Sequence, residues 1–154
     1  EAGVDRAVVA VGGSVGVWGE KPFGQLWNIA VRDPDSEGSL GTLSVPSGFL
    51  STSGSYEKQF EEDGVTYHHI LDPKTGYPAE SGLVGVTIWS DSGVLSDALS
   101  TACFVLGMEE SLPLLEQFDS GAVFITEGHQ IYVTENLADA FHLDSDNYTL
   151  AGVV

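Results

Sequence analysis

LVGVTIWSDSGVLSDALSTACFVLG, residues 83–107, decides the architecture. Leu83 to Trp89 is rich in Val, Ile and Thr, the composition of a strand. Asp91 or Ser92 then stands where a helix N-cap belongs, the helix is predicted over Gly93 to Leu106, and Gly107 supplies its stop. Beyond it, Glu109 to Phe118 reads as a second helix, in which Pro113 has to sit in the first turn or distort the helix. Ala122 to Thr126 and Gln130 to Val133 predict a hairpin around Glu127-Gly128, and Leu137 to Phe141 reads as a short final helix.

Upstream of the quoted stretch the pattern is β. Ala7 to Val11 reads as a buried strand ending at Gly12-Gly13, and Leu26 to Val31 as another, bounded by Asp33-Pro34. Leu40 to Val45 and Phe49 to Ser53 are joined by the turn Pro46-Ser47-Gly48. Tyr56 to Phe60 and Val65 to Leu71 flank Glu61-Glu62-Asp63-Gly64, where Asp-Gly is a strong hairpin signal. Strands interrupted by a central helical pair and closed by a hairpin predict an α+β fold with a mixed or antiparallel sheet, not a doubly wound α/β sheet. With 154 residues, 42% of them hydrophobic, the chain can bury one sizeable core and is read as a single unit over 1–154.

Charge narrows the partners. Asp and Glu number 23 against five Lys and Arg, for a formal net charge of -18. Nucleic acid is a poor partner, because no Lys/Arg cluster is present to replace the counterions of a phosphate backbone. The polybasic patch that holds a protein to anionic lipid is missing for the same reason. No stretch approaches the roughly 20 apolar residues of a membrane span, so this segment is not expected to insert directly. A phosphate-bearing ligand would be repelled by such a surface unless a metal ion or a helix N-terminus offset the charge locally. The single cysteine, Cys103, lies among Ala102, Phe104, Val105 and Leu106; it reads as a buried small hydrophobe and rules out a disulfide within the chain or a cysteine metal cage.

Four groups of residues are candidates for chemistry. Asp97 and Thr101 are four apart on the predicted main helix and so share a face. A carboxylate and a hydroxyl presented together are two hard oxygen ligands for Mg²⁺, which usually completes its octahedron with water and substrate phosphate. The plainer reading is an Asp favoured near a helix start and a Thr bonded to its own helix. The second group is His68-His69-Ile70-Leu71-Asp72-Pro73-Lys74-Thr75-Gly76-Tyr77-Pro78. Successive strand side chains face opposite ways, so only one of the two histidines can enter a given pocket. The tight turn that follows offers backbone N–H groups, a hydroxyl and one positive charge to an anion, or is simply a polar hairpin corner. Third, Ser51-Thr52-Ser53-Gly54-Ser55-Tyr56 concentrates hydroxyls without the G-x-S-x-G elbow or a recognisable triad of a serine nucleophile. Fourth, Gly12-Gly13-Ser14-Val15-Gly16 has neither the Lys-Ser/Thr ending of a P-loop nor dinucleotide-fold spacing.

Taken in order, these segments resemble the FAD:protein FMN transferase family, the ApbE-type flavin transferases. The likeness rests on Gly12-Gly13 after a strand, Trp27-Asn28-Ile29-Ala30-Val31 leading to Asp33-Pro34, and Ser51 to Glu57. It continues through Tyr67 to Pro78 and closes on Ser96-Asp97-Ala98-Leu99-Ser100-Thr101-Ala102 with Phe104-Val105-Leu106-Gly107. The resemblance implies a T-fold-like portion of a transferase that takes FAD, keeps Mg²⁺ at the pyrophosphate, joins FMN to a Thr or Ser of a flavin-acceptor protein, and releases AMP. It implies that Asp97 and Thr101 are metal ligands, that His69 is catalytic or contacts the nucleotide, and that Thr75 and Gly76 line the nucleotide pocket. Relatives are about twice as long, so the chain is expected to be the C-terminal part of such an enzyme, and to act outside the cytoplasm, periplasmic or at the cell surface with a lipid anchor. Ser14 departs from the Asn, Asp or Glu more usual after the Gly-Gly pair, which weakens a polar contact there. Two other functions fit the same residues: a metal-dependent FAD pyrophosphatase, using water in place of the acceptor hydroxyl, and a flavin-binding module without catalysis.

Overall fold

The structure, a computed structural model, describes residues 3–154. In chain order its strands and helices are β1 (Ala7–Val11), β2 (Ser14–Trp18), β3 (Trp27–Arg32), β4 (Ser39–Val45), β5 (Gly48–Gly54), β6 (Gln59–Glu62), β7 (Val65–His68), β8 (Leu83–Ser90), α1 (Gly93–Leu106), α2 (Met108–Gln117), β9 (Gly121–Thr126), β10 (Gln130–Val133), β11 (Phe141–Leu143) and β12 (Thr149–Val153). Seven strands form one sheet in the order β1-β2-β5-β8-β9-β10-β12, antiparallel throughout except for the parallel pair β10 and β12. A three-stranded sheet, β11-β4-β3, and the two-stranded β6-β7 complete the expected α+β fold.

The strand β9 shows why the chain stacks in layers. Its residues Ala122 and Phe124 enter the core with the helices, whereas Val123 and Ile125 enter the core with the three-stranded sheet, and all four are fully buried. A strand covered on both faces needs a continuous apolar run, which GAVFIT supplies. On the helix side Val86 and Ile88 meet Leu99, Cys103, Phe104 and Leu115; on the other side Leu50, Ile131 and Val133 meet Leu40, Leu43 and Val45. Complete burial of a side chain of this size is worth about 1.5–3 kcal/mol, so the two cores hold the three layers together.

Helix α1 begins and ends as its sequence predicts. Ser92 caps it, accepting a hydrogen bond from the Leu95 N–H at 3.4 Å, and Gly107, at φ 81°, ends it. Its buried residues, Ser96, Leu99, Ser100, Cys103 and Phe104, fall at i, i+3, i+4, i+7 and i+8. The first turn packs tightly on β5: a Cβ at Gly93 would lie 3.0 Å from the Phe49 ring.

Several elements depart from expectation. Pro113 lies in the interior of α2, so the helix forms around the lost N–H; the carbonyl left without that donor belongs to Glu109, which is exposed. Tyr56 stands in a turn, because its ring fills the space above Gly54, and the hairpin strand begins only at Gln59. The strand after the acidic turn ends at His68, short of Leu71. Leu137 to Phe141 is not helical. Leu137 closes a short 3-10 turn over Glu135–Leu137, and Phe141 opens β11 by pairing with Leu43. Two strands that the sequence pattern does not single out complete the large sheet, β2 between β1 and β5 and β12 at one edge; β1, read from the sequence as buried, is the other edge and is mostly exposed.

Candidate functional site

The site grows from the way α1 is pinned to β5. Alternation along β5 sends Ser51 and Ser53 toward the helix, where Ser51 Oγ lies 2.9 Å from Ser96 Oγ and Ser53 Oγ lies 2.8 Å from Ser100 Oγ. Small hydroxyl side chains on both elements allow close approach and satisfy one another; a buried hydroxyl without a partner would cost about 1–3 kcal/mol. Ser53 Oγ also lies 3.0 Å from Thr101 Oγ1, and Ser51 Oγ lies 2.9 Å from Ser14 Oγ. The Gly12-Gly13 turn reaches the same strand: Thr52 N–H donates to the Gly13 carbonyl at 3.0 Å, and a Cβ at Gly13 would lie 2.9 Å from the Thr52 carbonyl oxygen.

With Ser96 and Ser100 buried, the adjoining helical row faces outward. Asp97 and Thr101 are both exposed on that row, one turn apart, and Val105 follows one turn later. Val105 helps to wall a cavity of about 360 Å³ shared with Asp72, Thr75, Tyr77 and Pro78. The row carrying the two candidate metal ligands therefore runs into the recess that holds Thr75. Among the described residues no three His, Cys, Asp or Glu side chains converge on one point. The donor set at this row is two hard oxygens, which fits Mg²⁺, an ion that accepts one or two protein groups and keeps water and phosphate for the rest. A larger cavity, about 500 Å³, lies between α2 and the 3-10 turn at Leu112, Leu115, Ser120 and Thr134, away from every candidate residue.

The structure separates the paired histidines as strand geometry requires. His68 turns inward, its ring edge-on to Phe104 with centroids 5.6 Å apart. Its Nδ1 accepts from the Ile70 N–H at 3.3 Å, so Nε2 carries the hydrogen and donates to the Ala79 carbonyl at 3.2 Å. His69 is exposed and continues the hairpin ladder, its N–H donating to the Lys58 carbonyl at 3.1 Å. No hydrogen bond among the described residues joins the His69 ring to Asp97 or Thr101. His69 thus lies exposed, whereas His68 is a packing residue.

The turn after His69 differs from an open anion nest. Asp72 Oδ1 accepts from the Lys74 N–H at 2.8 Å, the Asp72 carbonyl accepts from Thr75 and Gly76, and Thr75 Oγ1 accepts from the Tyr77 N–H at 3.2 Å. These N–H groups are already engaged, so an anion there would be met by side chains and by the Lys74 charge. Gly76, at φ 74°, provides the left-handed bend that closes the turn. Loop and helix are tied together further along, where the Ser81 hydroxyl donates to the Phe104 carbonyl.

The sequence pattern puts Ser53 at the end of a strand and among a run of hydroxyls, without assigning it a role of its own. The signal was present in the matched spacings, Ser51 and Ser53 two apart on a strand and Ser96 and Ser100 four apart on a helix. It is visible only once the two elements are known to face each other.

Comparison with known proteins decides the family. A family profile described as "ApbE family" matches residues 1–125. The chain belongs to the ApbE family. Proteins named FAD:protein FMN transferase from Treponema pallidum and Klebsiella pneumoniae are 39% and 36% identical to it, over 88% and 85% of this chain but only 41% and 40% of their own lengths. Among solved structures, the ApbE protein of Thermotoga maritima superposes with a TM-score of 0.79 at 37% identity, over 88% of this chain and 44% of that one. The apo flavinyl transferase ApbE of Pseudomonas stutzeri gives 0.71 at 35% identity, over 93% of this chain and 45% of that one. The α+β layers described above are thus those of ApbE structures, and the chain spans less than half the length of these relatives.

Proposed function

We propose that the protein serves as a magnesium-dependent FAD:protein FMN transferase, moving the FMN half of FAD to a Thr or Ser hydroxyl of an acceptor protein and releasing AMP. The observation that carries this reading is the exposed Asp97–Thr101 row on α1, set in an ApbE-family chain and running into the recess that holds Thr75.

The reaction joins the acceptor oxygen to the FMN phosphorus and breaks the bond from that phosphorus to the bridging oxygen, which leaves with AMP. Mg²⁺, held by the Asp97 carboxylate and the Thr101 hydroxyl, would neutralise the pyrophosphate charge, which a chain of net charge -18 otherwise repels. Thr75 and Gly76 line the approach for the nucleotide. His69, whose side chain is exposed, would take the proton of the attacking hydroxyl or orient FAD. Extracytoplasmic action belongs to the same proposal, and recovery of the protein in the cytoplasmic fraction of its host would contradict it.

The test is incubation with FAD and Mg²⁺, with and without an acceptor protein, following AMP and protein-bound flavin. Equal amounts of AMP and flavinylated acceptor support transfer. AMP and free FMN without acceptor would identify a pyrophosphatase, and FAD binding that ignores Mg²⁺, without turnover, a flavin-binding module.

A further inference from the structure

The hydrogens of the hydroxyl network at α1 can be assigned from the bonds themselves. Each Ser or Thr hydroxyl has one hydrogen to give. Ser100 gives its hydrogen to the Asp97 carbonyl at 2.9 Å. The 2.8 Å contact between Ser53 and Ser100 is therefore made by Ser53 donating, and the 3.0 Å contact between Ser53 and Thr101 by Thr101 donating. A second relay runs the same way: Ser96 donates to the Gly93 carbonyl at 3.1 Å, Ser51 to Ser96, and Ser14 to Ser51. Each relay starts at a hydroxyl, Thr101 or Ser14, that gives its hydrogen to the next member and accepts none within the relay.

We propose that Ser53 is a positioning residue that makes Thr101 a cation ligand. A hydroxyl coordinates a cation through a lone pair, with its hydrogen directed elsewhere. A helical Thr otherwise divides between χ1 rotamers, because its Oγ1 can turn back to a carbonyl three or four residues earlier, here that of Ala98 or Asp97. By accepting the Thr101 hydrogen, Ser53 holds the rotamer that presents the oxygen on the row shared with Asp97. Ser100 keeps Ser53 an acceptor by taking the Ser53 hydrogen, and the relay ends on the backbone carbonyl of Asp97 itself. A cation site here is preset by strand β5 as well as by the helix that carries the ligands.

This inference rests on the reading of Asp97 and Thr101 as a cation site, and the test separates the two. Mn²⁺ binding to the chain is measured by electron paramagnetic resonance without FAD, for wild type, Asp97→Ala, Thr101→Val, Ser53→Ala, Ser53→Thr, Ser100→Ala and the Ser53→Ala/Thr101→Val double variant, with thermal melts in parallel. Ser53→Ala is expected to weaken binding about tenfold, the scale of one lost hydrogen bond near a charge, and to add nothing once Thr101 is Val. Ser53→Thr keeps the acceptor and should restore binding. Ser100→Ala removes no hydrogen bond from the side chain of either ligand yet should weaken binding by roughly threefold, because it frees the Ser53 hydrogen to oppose that of Thr101. Wild-type affinity in Ser53→Ala, or additive effects of Ser53→Ala and Thr101→Val, would overturn the positioning role while leaving the site intact. No Mn²⁺ binding to wild type, or full binding to Asp97→Ala, would overturn the site reading and this inference with it.

Discussion

Thr101 on α1 and Ser53 on β5, 48 residues apart along the chain, meet through a hydrogen bond of 3.0 Å. The contact links the exposed face of the helix to the central sheet. Among the described residues the exposed Asp97 carboxylate, one turn before Thr101, has no hydrogen-bond partner, so one candidate ligand is tethered to the sheet and the other is not. A metal that needs one fixed oxygen and one adjustable carboxylate is served by such a pair.

Asp97 is exposed and, among the described residues, its side chain bonds to no other group, so Asp97→Ala should leave folding stability within about 0.5 kcal/mol of wild type. Magnesium-dependent transfer should nevertheless be lost. Urea unfolding beside a transfer assay checks the separation; a variant that loses both together would mean that Asp97 is structural.

The two histidines should respond in opposite ways. His68→Ala removes the edge contact to Phe104 and the bond to the Ala79 carbonyl, and should cost about 1–3 kcal/mol of stability. His69→Ala should fold normally and lower kcat by roughly 10²–10⁴ if the ring takes the acceptor proton. A raised KM with unchanged kcat would instead assign His69 to FAD binding.

A second polar cluster should contribute to stability against acid. The Tyr148 hydroxyl lies 2.9 Å from Asp33 Oδ1 and 2.8 Å from Asp35 Oδ2, bracing the approach to β12 against the turn between β3 and β4. Burial raises the Asp33 pKa, but bonds from the Asp35 N–H, the Ser36 hydroxyl and Tyr148 outweigh it and hold the carboxyl below its ordinary range. A folded-state pKa below the unfolded value of about 4 gives stability that is complete above that pH and is lost as pH falls through the folded value. Tyr148→Phe should cost about 1.5–3 kcal/mol at neutral pH and flatten the acid limb of a stability profile measured from pH 7 to pH 2.

Gly76 sets the turn at φ 74°, with open space where a Cβ would stand. Gly76→Ala should therefore cost only the backbone strain, about 1–2 kcal/mol. If the nucleotide also passes close to this backbone, the KM for FAD should rise as well, and steady-state kinetics at a temperature well below the melting point reads that increase separately.

Local pattern explains what the sequence could disclose. Helix α1 is legible over Gly93 to Leu106 because a cap residue and a Gly stop act within one segment, although the sequence leaves the cap between Asp91 and Ser92. The strand β9 was legible as an unbroken apolar run. By contrast, Leu137 and Phe141 have helical spacing, yet Phe141 is drawn into a strand by Leu43, nearly a hundred residues earlier. The strand β12 pairs in parallel with β10, a partnership without a hairpin turn to announce it. Asp97 and Thr101 could be named because both lie on one helix. Ser53 could not, because its role exists only across the contact between helix and sheet.

Calorimetric titration of FAD into the chain, with and without Mg²⁺, for wild type and Asp97→Ala, tests the central claim most directly. The account predicts binding that strengthens with Mg²⁺ in the wild type and weakens at least about tenfold in Asp97→Ala, a difference of roughly 1.4 kcal/mol or more. Equal FAD affinity in both proteins, with Mg²⁺ making no difference, would contradict it.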